Sequence, residues 1–377
     1  MKPISMVDLK TQYLKIKQEI DNAIQQVIES TAFINGPMVK EFSKKLESYL
    51  NVKHVIPAAS GTDALQVALM ALDLQPGDEV ITTPFTFVAT VEVIALLKLR
   101  PVFVDVDENY FTINIEQLKE KITSKTRAII PVHLFGQAAN MEAIMQIANK
   151  HNLYVIEDTA QALGSEYIFS NGQTQKLGTI GHMGATSFFP SKNLGCFGDG
   201  GAIFTNDDEL ADKLRSIVNH GMKVRYYHDT IGVNSRLDSI QAAILNVKLK
   251  YIDKYNKNRE KAANYYNNAF KDCKKIITPA KYPKSTHIYH QYTMKIINAD
   301  RDALKEHLLQ NNIPCAIYYP VPLHLQKAYK YYGYKEGDFP VSEYLSKIVL
   351  SLPMHTELDN EQLEYITKTV LDFLKNN

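Results

Sequence analysis

The sequence predicts an α/β protein of two domains, a large one over residues 1–250 and a smaller α+β domain over residues 251–377. Short apolar segments alternate with helical patterns from residue 54 onward, the order expected of a mostly parallel sheet covered by helices. Those segments are apolar almost throughout, as strands buried on both faces are. A long helical pattern then leads into a region of mixed strand and helix. With 377 residues, the chain is long enough for both domains.

The predicted elements follow one another regularly after a helical arm over residues 1 to about 50, which is interrupted at residues 33–37. Apolar residues that share one face predict a helix, as Leu65, Leu69 and Leu72 do. The predicted strands of the large domain are residues 54–59, 78–83, 101–106, 128–134, 153–158, 186–189 and 202–205, and its helices are residues 63–72, 88–97, 115–122, 141–150 and 208–218. One long helix over residues 237–270 connects the domains, and a strand at 289–296, a helix at 303–310 and two closing helices complete the chain.

Composition limits the possible partners. The chain has 42 basic and 41 acidic residues, so net charge gives no case for binding nucleic acid or an anionic membrane. The start of the sequence lacks the apolar core of a signal peptide, and no apolar run reaches the length of a membrane span. The three cysteines are odd in number and widely spaced, which suits free thiols in a reducing compartment. We therefore expect a cytoplasmic protein, and no residue cluster predicts a metal site.

A single lysine, Lys192, stands in a glycine-rich turn between two apolar segments of residues 186–205. Glycines at 195, 198, 200 and 201 permit close approach of the backbone there. Because desolvation disfavours an ammonium group, a lysine in such a turn can have a lowered pKa and act as a nucleophile that forms a Schiff base. A hairpin turn with a solvated lysine explains the same stretch.

Two loops at predicted strand ends carry further candidates. Gly61 and Thr62 follow the first strand and could present N–H groups and a hydroxyl to a phosphate at a helix N-terminus. A plain Ser/Thr helix cap is the alternative. Asp158 follows a buried strand and could fix a cationic ring nitrogen, with Gln161 one turn further on. An aspartate at this junction is also a common helix cap.

Two more candidates are an aromatic residue and an arginine. Phe87 at a strand end could stack on a flat cofactor or belong to the core. Arg236 could clamp an anionic substrate group, or pair with Asp238 at the surface. Taken together, a phosphate cup, a ring-nitrogen carboxylate, a stacking aromatic and a Schiff-base lysine are the parts that pyridoxal phosphate requires. The loop after the first strand is not a Walker A loop, since no Gly-Lys-Ser/Thr follows it. The chain also lacks a Gly-x-Gly-x-x-Gly after that strand, which disfavours a nicotinamide site.

These motifs resemble those of the DegT/DnrJ-type sugar aminotransferases, a branch of the fold-type I pyridoxal-phosphate enzymes. The resemblance extends from residues 33–37 to residues 351–355, and residues 60–64, 156–161, 187–195, 198–202 and 234–238 carry most of it. It implies a mostly parallel, seven-stranded sheet in the large domain. It also implies pyridoxal 5'-phosphate as cofactor, with Lys192 as the catalytic Schiff-base lysine, Asp158 at the pyridine nitrogen, Gln161 near the ring hydroxyl, Phe87 stacked on the ring, and Gly61, Thr62 and Ser187 at the phosphate.

The resemblance further implies a homodimer whose active sites are shared across the interface. Asn234 would reach the phosphate in the neighbouring subunit, and Arg236 would lie beside that subunit's substrate pocket. Tyr318, Tyr319 and His324 are candidate substrate-binding residues. The most similar branch has a histidine at the position of Tyr318, which leaves the sugar open.

The implied function is transfer of an amino group from glutamate to a nucleotide-linked keto sugar in surface-polysaccharide, O-antigen or amino-sugar biosynthesis. The expected acceptor position is C3 of a UDP-2-acetamido-3-keto-hexuronate or of a dTDP-3-keto-6-deoxyhexose. Some family members are dehydratases with histidine where this chain has Lys192, so the lysine favours amino transfer. The alternatives are a nicotinamide-dependent sugar oxidoreductase and a catalytically silent, pyridoxal-phosphate-binding sensor of the same fold.

Overall fold

The computed structural model describes residues 2–376. Its helices are α1 (Leu9–Lys15), α2 (Lys17–Ser30), α3 (Pro37–Leu50), α4 (Gly61–Met70), α5 (Ala89–Leu96), α6 (Ile115–Lys121), α7 (Met141–His151), α8 (Asp208–Ile217), α9 (Ser239–Leu249), α10 (Ile252–Phe270), α11 (Arg301–Gln310), α12 (Pro340–Ile348) and α13 (Asn360–Asn376). Its strands are β1 (His54–Ala58), β2 (Glu79–Thr82), β3 (Arg100–Phe103), β4 (Thr126–Ile129), β5 (Tyr154–Asp158), β6 (Glu166–Ile168), β7 (Thr174–Lys176), β8 (Met183–Ser187), β9 (Gly201–Thr205), β10 (Met222–Val224), β11 (Tyr227–His228), β12 (Ile276–Ile277), β13 (Tyr292–Ile296) and β14 (Val349–Leu352).

Seven strands form the central sheet in the order β1-β9-β8-β5-β4-β2-β3. Only β9 runs antiparallel to its neighbours β1 and β8, and the other pairs are parallel. The predicted mostly parallel, seven-stranded sheet is therefore confirmed. The carboxyl ends of β1, β2, β4, β5 and β8 consequently lie at one edge of the sheet, where ligands bind in such folds.

Helices cover the sheet on both faces, and this explains why its strands are apolar throughout. Val80 and Ile156 pack in a cluster with α4, α5 and α8. Their neighbours Ile81 and Val155 pack on the other face, in a cluster with α6 and α7. Successive strand residues point to opposite faces, so a strand between two helical layers needs an apolar residue at every position.

The C-terminal part has its own core around the antiparallel sheet β12-β13-β14. Tyr266 and Phe270 of α10 pack there against Met294 and Leu350, together with α11 and α13. The N-terminal segment adds to this core, since Ile4 packs on it and the Met354 N–H bonds to the Met6 carbonyl at 3.3 Å.

The prediction of one helix over residues 237–270 is wrong at its centre. α9 ends at Leu249, and α10 begins at Ile252. The Tyr251 N–H bonds to the Lys248 carbonyl across this break, at 2.9 Å. The predicted domain boundary at residue 250 falls at the same point and stays a prediction. Among residues 2–376, no helix combines the length and the apolar character that a membrane span needs.

Candidate active site

A cavity of about 720 Å³ opens at the carboxyl edge of the central sheet. Its walls come from the loops after β1, β2, β4, β5 and β8 and from two C-terminal segments, residues 290–291 and 317–326. Nine of the predicted site residues line it together: Gly61, Thr62, Phe87, Asp158, Gln161, Ser187, Lys192, Tyr318 and Tyr319.

The turn that carries Lys192 is tightly fixed by backbone contacts. The Lys192 N–H bonds to the Phe189 carbonyl at 2.8 Å. Glycine is required at position 195, because a Cβ there would lie 2.3 Å from the Pro190 carbonyl oxygen. The Lys248 ammonium donates to the Gly195 carbonyl from behind the turn. The predicted role of glycine in close packing thus applies at this position.

Lys192 and Asp158 have pKa values shifted toward their neutral forms. Burial lowers the pKa of Lys192 to about 8, and the charge of Asp158 offsets part of that effect. Burial likewise raises the pKa of Asp158, although Thr90 donates to its Oδ2 at 2.8 Å and the Ala160 N–H to its Oδ1 at 3.1 Å. A buried carboxylate and a half-buried amine, both with shifted pKa values in one cavity, form a combination typical of a catalytic site.

The start of α4, which also lines the cavity, offers backbone N–H donors. Ser60 caps α4, with its Oγ accepting the Asp63 N–H at 3.0 Å. The N–H groups of Gly61 and Thr62 lie in the first turn of α4, where no intrahelical acceptor exists. A Cβ at Gly61 would lie 2.6 Å from the Ser187 Cβ, so the glycine lets the helix start approach the end of β8. This arrangement suits an anion such as phosphate.

Gln161 and the aromatic residues connect the sheet edge to the C-terminal part. The Gln161 Oε1 accepts the Phe135 N–H at 2.8 Å, and its Nε2 donates to the Tyr319 hydroxyl at 3.0 Å. Phe87 is 54% exposed, and its ring centre lies 6.4 Å from that of Tyr319. Phe87 is therefore free to contact a flat ligand on one side.

Three predicted site residues do not line the cavity. Asn234 is exposed, and Arg236 has a buried Nε without a hydrogen-bond partner within residues 2–376. His324 is fully buried, where its Nε2 contacts Glu343 at 3.0 Å and its ring packs against Phe339. The predicted roles of these residues are untested and stay predictions, and His324 could reach a ligand only if the buried Glu343 pair opened.

Among the cavity residues that sequence reasoning missed are His290 and Gln291. Both were placed in a predicted strand over residues 289–296, whereas β13 begins at Tyr292. They lie instead in the loop that approaches the sheet edge. Two adjacent polar residues before an apolar strand were the available signal.

Comparisons with known proteins agree with this geometry. The family model of the DegT/DnrJ/EryC1/StrS aminotransferase family matches residues 14–371. A pleiotropic regulatory protein of Geobacillus stearothermophilus is 45% identical over 99% of each chain. The UDP-2-acetamido-2-deoxy-3-oxo-D-glucuronate aminotransferase of Pseudomonas aeruginosa is 44% identical over 96% of this chain and 98% of its own.

The solved structure of Streptomyces venezuelae DesV in complex with a ketimine intermediate has a TM-score of 0.95 and 36% identity, covering 100% of this chain and 99% of its own. The fold-type I architecture is thereby confirmed. The predictions of a sugar aminotransferase and of pyridoxal phosphate as its cofactor are confirmed with the family. The chain belongs to the DegT/DnrJ/EryC1/StrS aminotransferase family.

Proposed function

We propose that this protein transfers an amino group from glutamate to C3 of a nucleotide-linked 3-keto sugar, with a UDP-2-acetamido-3-keto-hexuronate as the first candidate. The observation that carries the proposal is the meeting of Lys192, Asp158 and the N-terminus of α4 in one cavity. The similarity to the Pseudomonas aeruginosa enzyme supports the choice of sugar. A dTDP-3-keto-6-deoxyhexose is the second candidate, from the sequence resemblance.

The residues of the cavity fit pyridoxal phosphate. Lys192 is an amine without a hydrogen-bond partner among residues 2–376, with a pKa near 8 that leaves part of it neutral and nucleophilic at neutral pH. Asp158 is a buried carboxylate that contacts no cationic side chain in the described part of the chain, as a partner for a pyridinium nitrogen should be. Gly61, Thr62 and Ser187 would hold the phosphate, Gln161 would approach the ring hydroxyl, and Phe87 would cover one ring face.

Each chain residue then has a defined task. Bound cofactor supplies a conjugated ring that withdraws electrons from the carbon carrying the amino group. Asp158 keeps a proton on the ring nitrogen, because a buried carboxylate is stabilised by a cation in contact. The Lys192 amine, when free, moves a proton at that carbon. Glutamate and the keto sugar would occupy the cavity in turn, next to Tyr318 and Tyr319.

We further propose a homodimer with shared active sites. Support comes from apolar side chains that this chain leaves exposed around β10 and β11, with Tyr226 at 74%, Tyr227 at 69% and Ile231 at 85% exposure. Asn234 and Arg236 follow them in sequence, consistent with their predicted contribution to the neighbouring site. A cytoplasmic location is also proposed, supported by the three free cysteines.

The dimer has a direct test. Lys192→Ala and Asn234→Ala homodimers should each be impaired, and subunit exchange between them should restore activity, because one hybrid site regains both residues. Light scattering gives the mass in solution. A monomer, or no recovery on mixing despite exchange, would contradict the shared site.

The test of the reaction is a panel of UDP- and dTDP-linked 3-keto and 4-keto sugars, incubated with protein, pyridoxal phosphate and glutamate. Product mass reveals amino transfer, and NMR of the product locates the new amine. We expect a UDP-linked 3-amino hexuronate, and no product with Lys192→Ala. Binding of pyridoxal phosphate without turnover of any sugar would instead favour a regulatory protein, the function named for the Geobacillus stearothermophilus relative.

A further inference from the structure

His290 is a buried histidine of the cavity that the proposed reaction does not use. It lies in the loop before β13, is 8% exposed and lines the same cavity as Lys192. Its N–H bonds to the Phe135 carbonyl at 2.9 Å, and Arg259 donates to its carbonyl at 3.1 Å. Both backbone polar groups of His290 are therefore hydrogen-bonded, which fixes the position from which its side chain extends.

A chain of side-chain amides decides which ring nitrogen of His290 carries the proton. Asn193 Nδ2 donates to the Ile288 carbonyl at 3.3 Å and to Asn256 Oδ1 at 2.7 Å. Asn256 Nδ2 in turn approaches the Leu163 carbonyl at 3.5 Å. Backbone carbonyls only accept, so both amides are fixed in this orientation and Asn193 Oδ1 faces His290.

The Nδ1 of His290 lies 3.2 Å from Asn193 Oδ1. Because that oxygen only accepts, Nδ1 must carry the proton, and Nε2 keeps a free lone pair. Burial, with the positive charges of Lys192 and Arg259, holds the pKa of His290 well below its usual range. The ring thus stays neutral at ordinary pH and presents a permanent acceptor.

The natural donor for this acceptor is the Lys192 amine. Lys192 precedes Asn193 in the chain, and its charge acts on His290 more strongly than that of Arg259. Within residues 2–376, neither His290 Nε2 nor the Lys192 amine has a hydrogen-bond partner in the chain, although both groups belong to the same cavity. The charge of Asp158 acts on Lys192 and partly offsets the effect of burial on its pKa.

We propose that His290 is a positioning residue for Lys192. When the Lys192 amine is not joined to the cofactor, rotation of the lysine side chain brings it within hydrogen-bond distance of His290 Nε2, which accepts from it and holds the amine ready for the next proton transfer. The inference rests on the proposed function, in which Lys192 carries the cofactor.

The test uses His290→Asn in the protein freed of cofactor. The asparagine Nδ2 can replace Nδ1 as donor to Asn193, while the acceptor at Nε2 is lost. His287→Asn is the matched control, since His287 is a buried histidine of the same loop that accepts the Tyr289 N–H at Nδ1 and does not line the cavity.

Acetylation of Lys192 by acetic anhydride, followed across pH by peptide mass spectrometry, reports the pKa of the free amine. A hydrogen bond from an ammonium stabilises the charged form, so His290→Asn should lower the midpoint by about one pH unit. His287→Asn should leave it unchanged. Equal midpoints in His290→Asn and the native chain would overturn the inference, even if the native enzyme transfers amino groups.

A second measurement needs no variant in the test sample. In protein labelled with ¹⁵N-histidine, two-bond ¹H–¹⁵N spectra distinguish the tautomers, and the two variants identify the signals. We expect Nδ1–H for His290 and Nε2–H for His287 from pH 6 to 9. An Nε2–H tautomer or a charged ring at His290 would overturn the proposal without affecting the proposed reaction.

Discussion

Glu157 and Asp158 are neighbours on β5, and their side chains point to opposite faces of the sheet. Glu157 is fully buried with four donors around it: its Oε1 accepts the N–H groups of Ile180 at 2.6 Å and Gly181 at 2.7 Å, and its Oε2 accepts the Gly178 N–H at 2.9 Å and His133 Nε2 at 2.8 Å. Asp158 has two donors and opens onto the cavity. The chain itself supplies the hydrogen-bond donors that Glu157 needs, whereas Asp158 keeps acceptor capacity for a ligand.

Two lysines with lowered pKa values, the buried Lys248 and the half-buried Lys192, differ in the same way. Burial lowers the pKa of both Lys192 and Lys248 to about 8. Lys248 donates to the Gly195 carbonyl and lies over the Phe197 ring, whereas Lys192 faces the cavity. In each pair one member supports the fold, and the other keeps bonding capacity for chemistry at some cost in stability.

The largest expected effect concerns Glu157. In Glu157→Gln, the new NH₂ would face backbone donors that now bond to a carboxylate, and buried N–H groups would lose their acceptor. We expect a loss of about 3–5 kcal/mol in the free energy of unfolding, measured in urea. If Glu157→Gln were as stable as the native chain, Glu157 would not be the carboxylate of this pair that supports the fold.

Asp158→Asn should lower activity without lowering stability, in contrast to Glu157→Gln. The raised pKa of Asp158 means that its ionised form costs stability, and this cost is fully present above the pKa of the folded state. The variant without cofactor should therefore be as stable as the native chain at pH 7, or more stable. Its kcat should fall by about 100-fold or more, because the charge opposite the ring nitrogen is lost. Full activity would contradict the assigned role.

Thr90 offers a smaller change on the same carboxylate. Thr90→Val removes the hydroxyl that donates to Asp158 at 2.8 Å, which should raise the pKa of Asp158 further and lower kcat about tenfold. The control is Thr82→Val, whose buried hydroxyl donates to the Ile130 carbonyl at 2.9 Å away from the cavity. Both should lose about 1 kcal/mol of stability, and only Thr90→Val should lose activity. If the two variants had equal kcat values, Thr90 would have no role in catalysis.

The sequence was sufficient for the parts of the site that lie at the ends of apolar strands. Asp158 and Lys192 were found because strand periodicity and glycine spacing mark where the chain leaves the sheet. The partners of Glu157 were not predictable, since Gly178, Ile180 and Gly181 precede β8 in an irregular segment without a periodic pattern. Their bonding depends on tertiary contacts that a single sequence does not encode locally.

The C-terminal side of the cavity shows the same limit. A strand assigned from residue 289 concealed His290, because a shift of three residues in a strand boundary moves a loop residue into the sheet. The break between α9 and α10 was missed for a related reason. Lys250 and Tyr251 interrupt the helix without a glycine or proline, so no local signal ends it.

The smallest expected effect returns to the lysines. Since the pKa of Lys192 is lowered to about 8 in the folded state, its ammonium costs stability below pH 8, and this cost disappears as pH rises toward the unfolded-state value. Lys192→Met should therefore stabilise the protein without cofactor, by on the order of 1 kcal/mol at pH 7, with the advantage shrinking between pH 8 and 10. Lys248→Met removes the same charge but also the bond to Gly195, so its gain should be smaller or reversed. Urea unfolding between pH 7 and 10 gives the free energies of unfolding of both variants and of the native chain. If Lys192→Met were less stable than the native chain at pH 7, the Lys192 amine would contribute to the fold as Lys248 does, and the division between structural and reactive members would fail for the lysines.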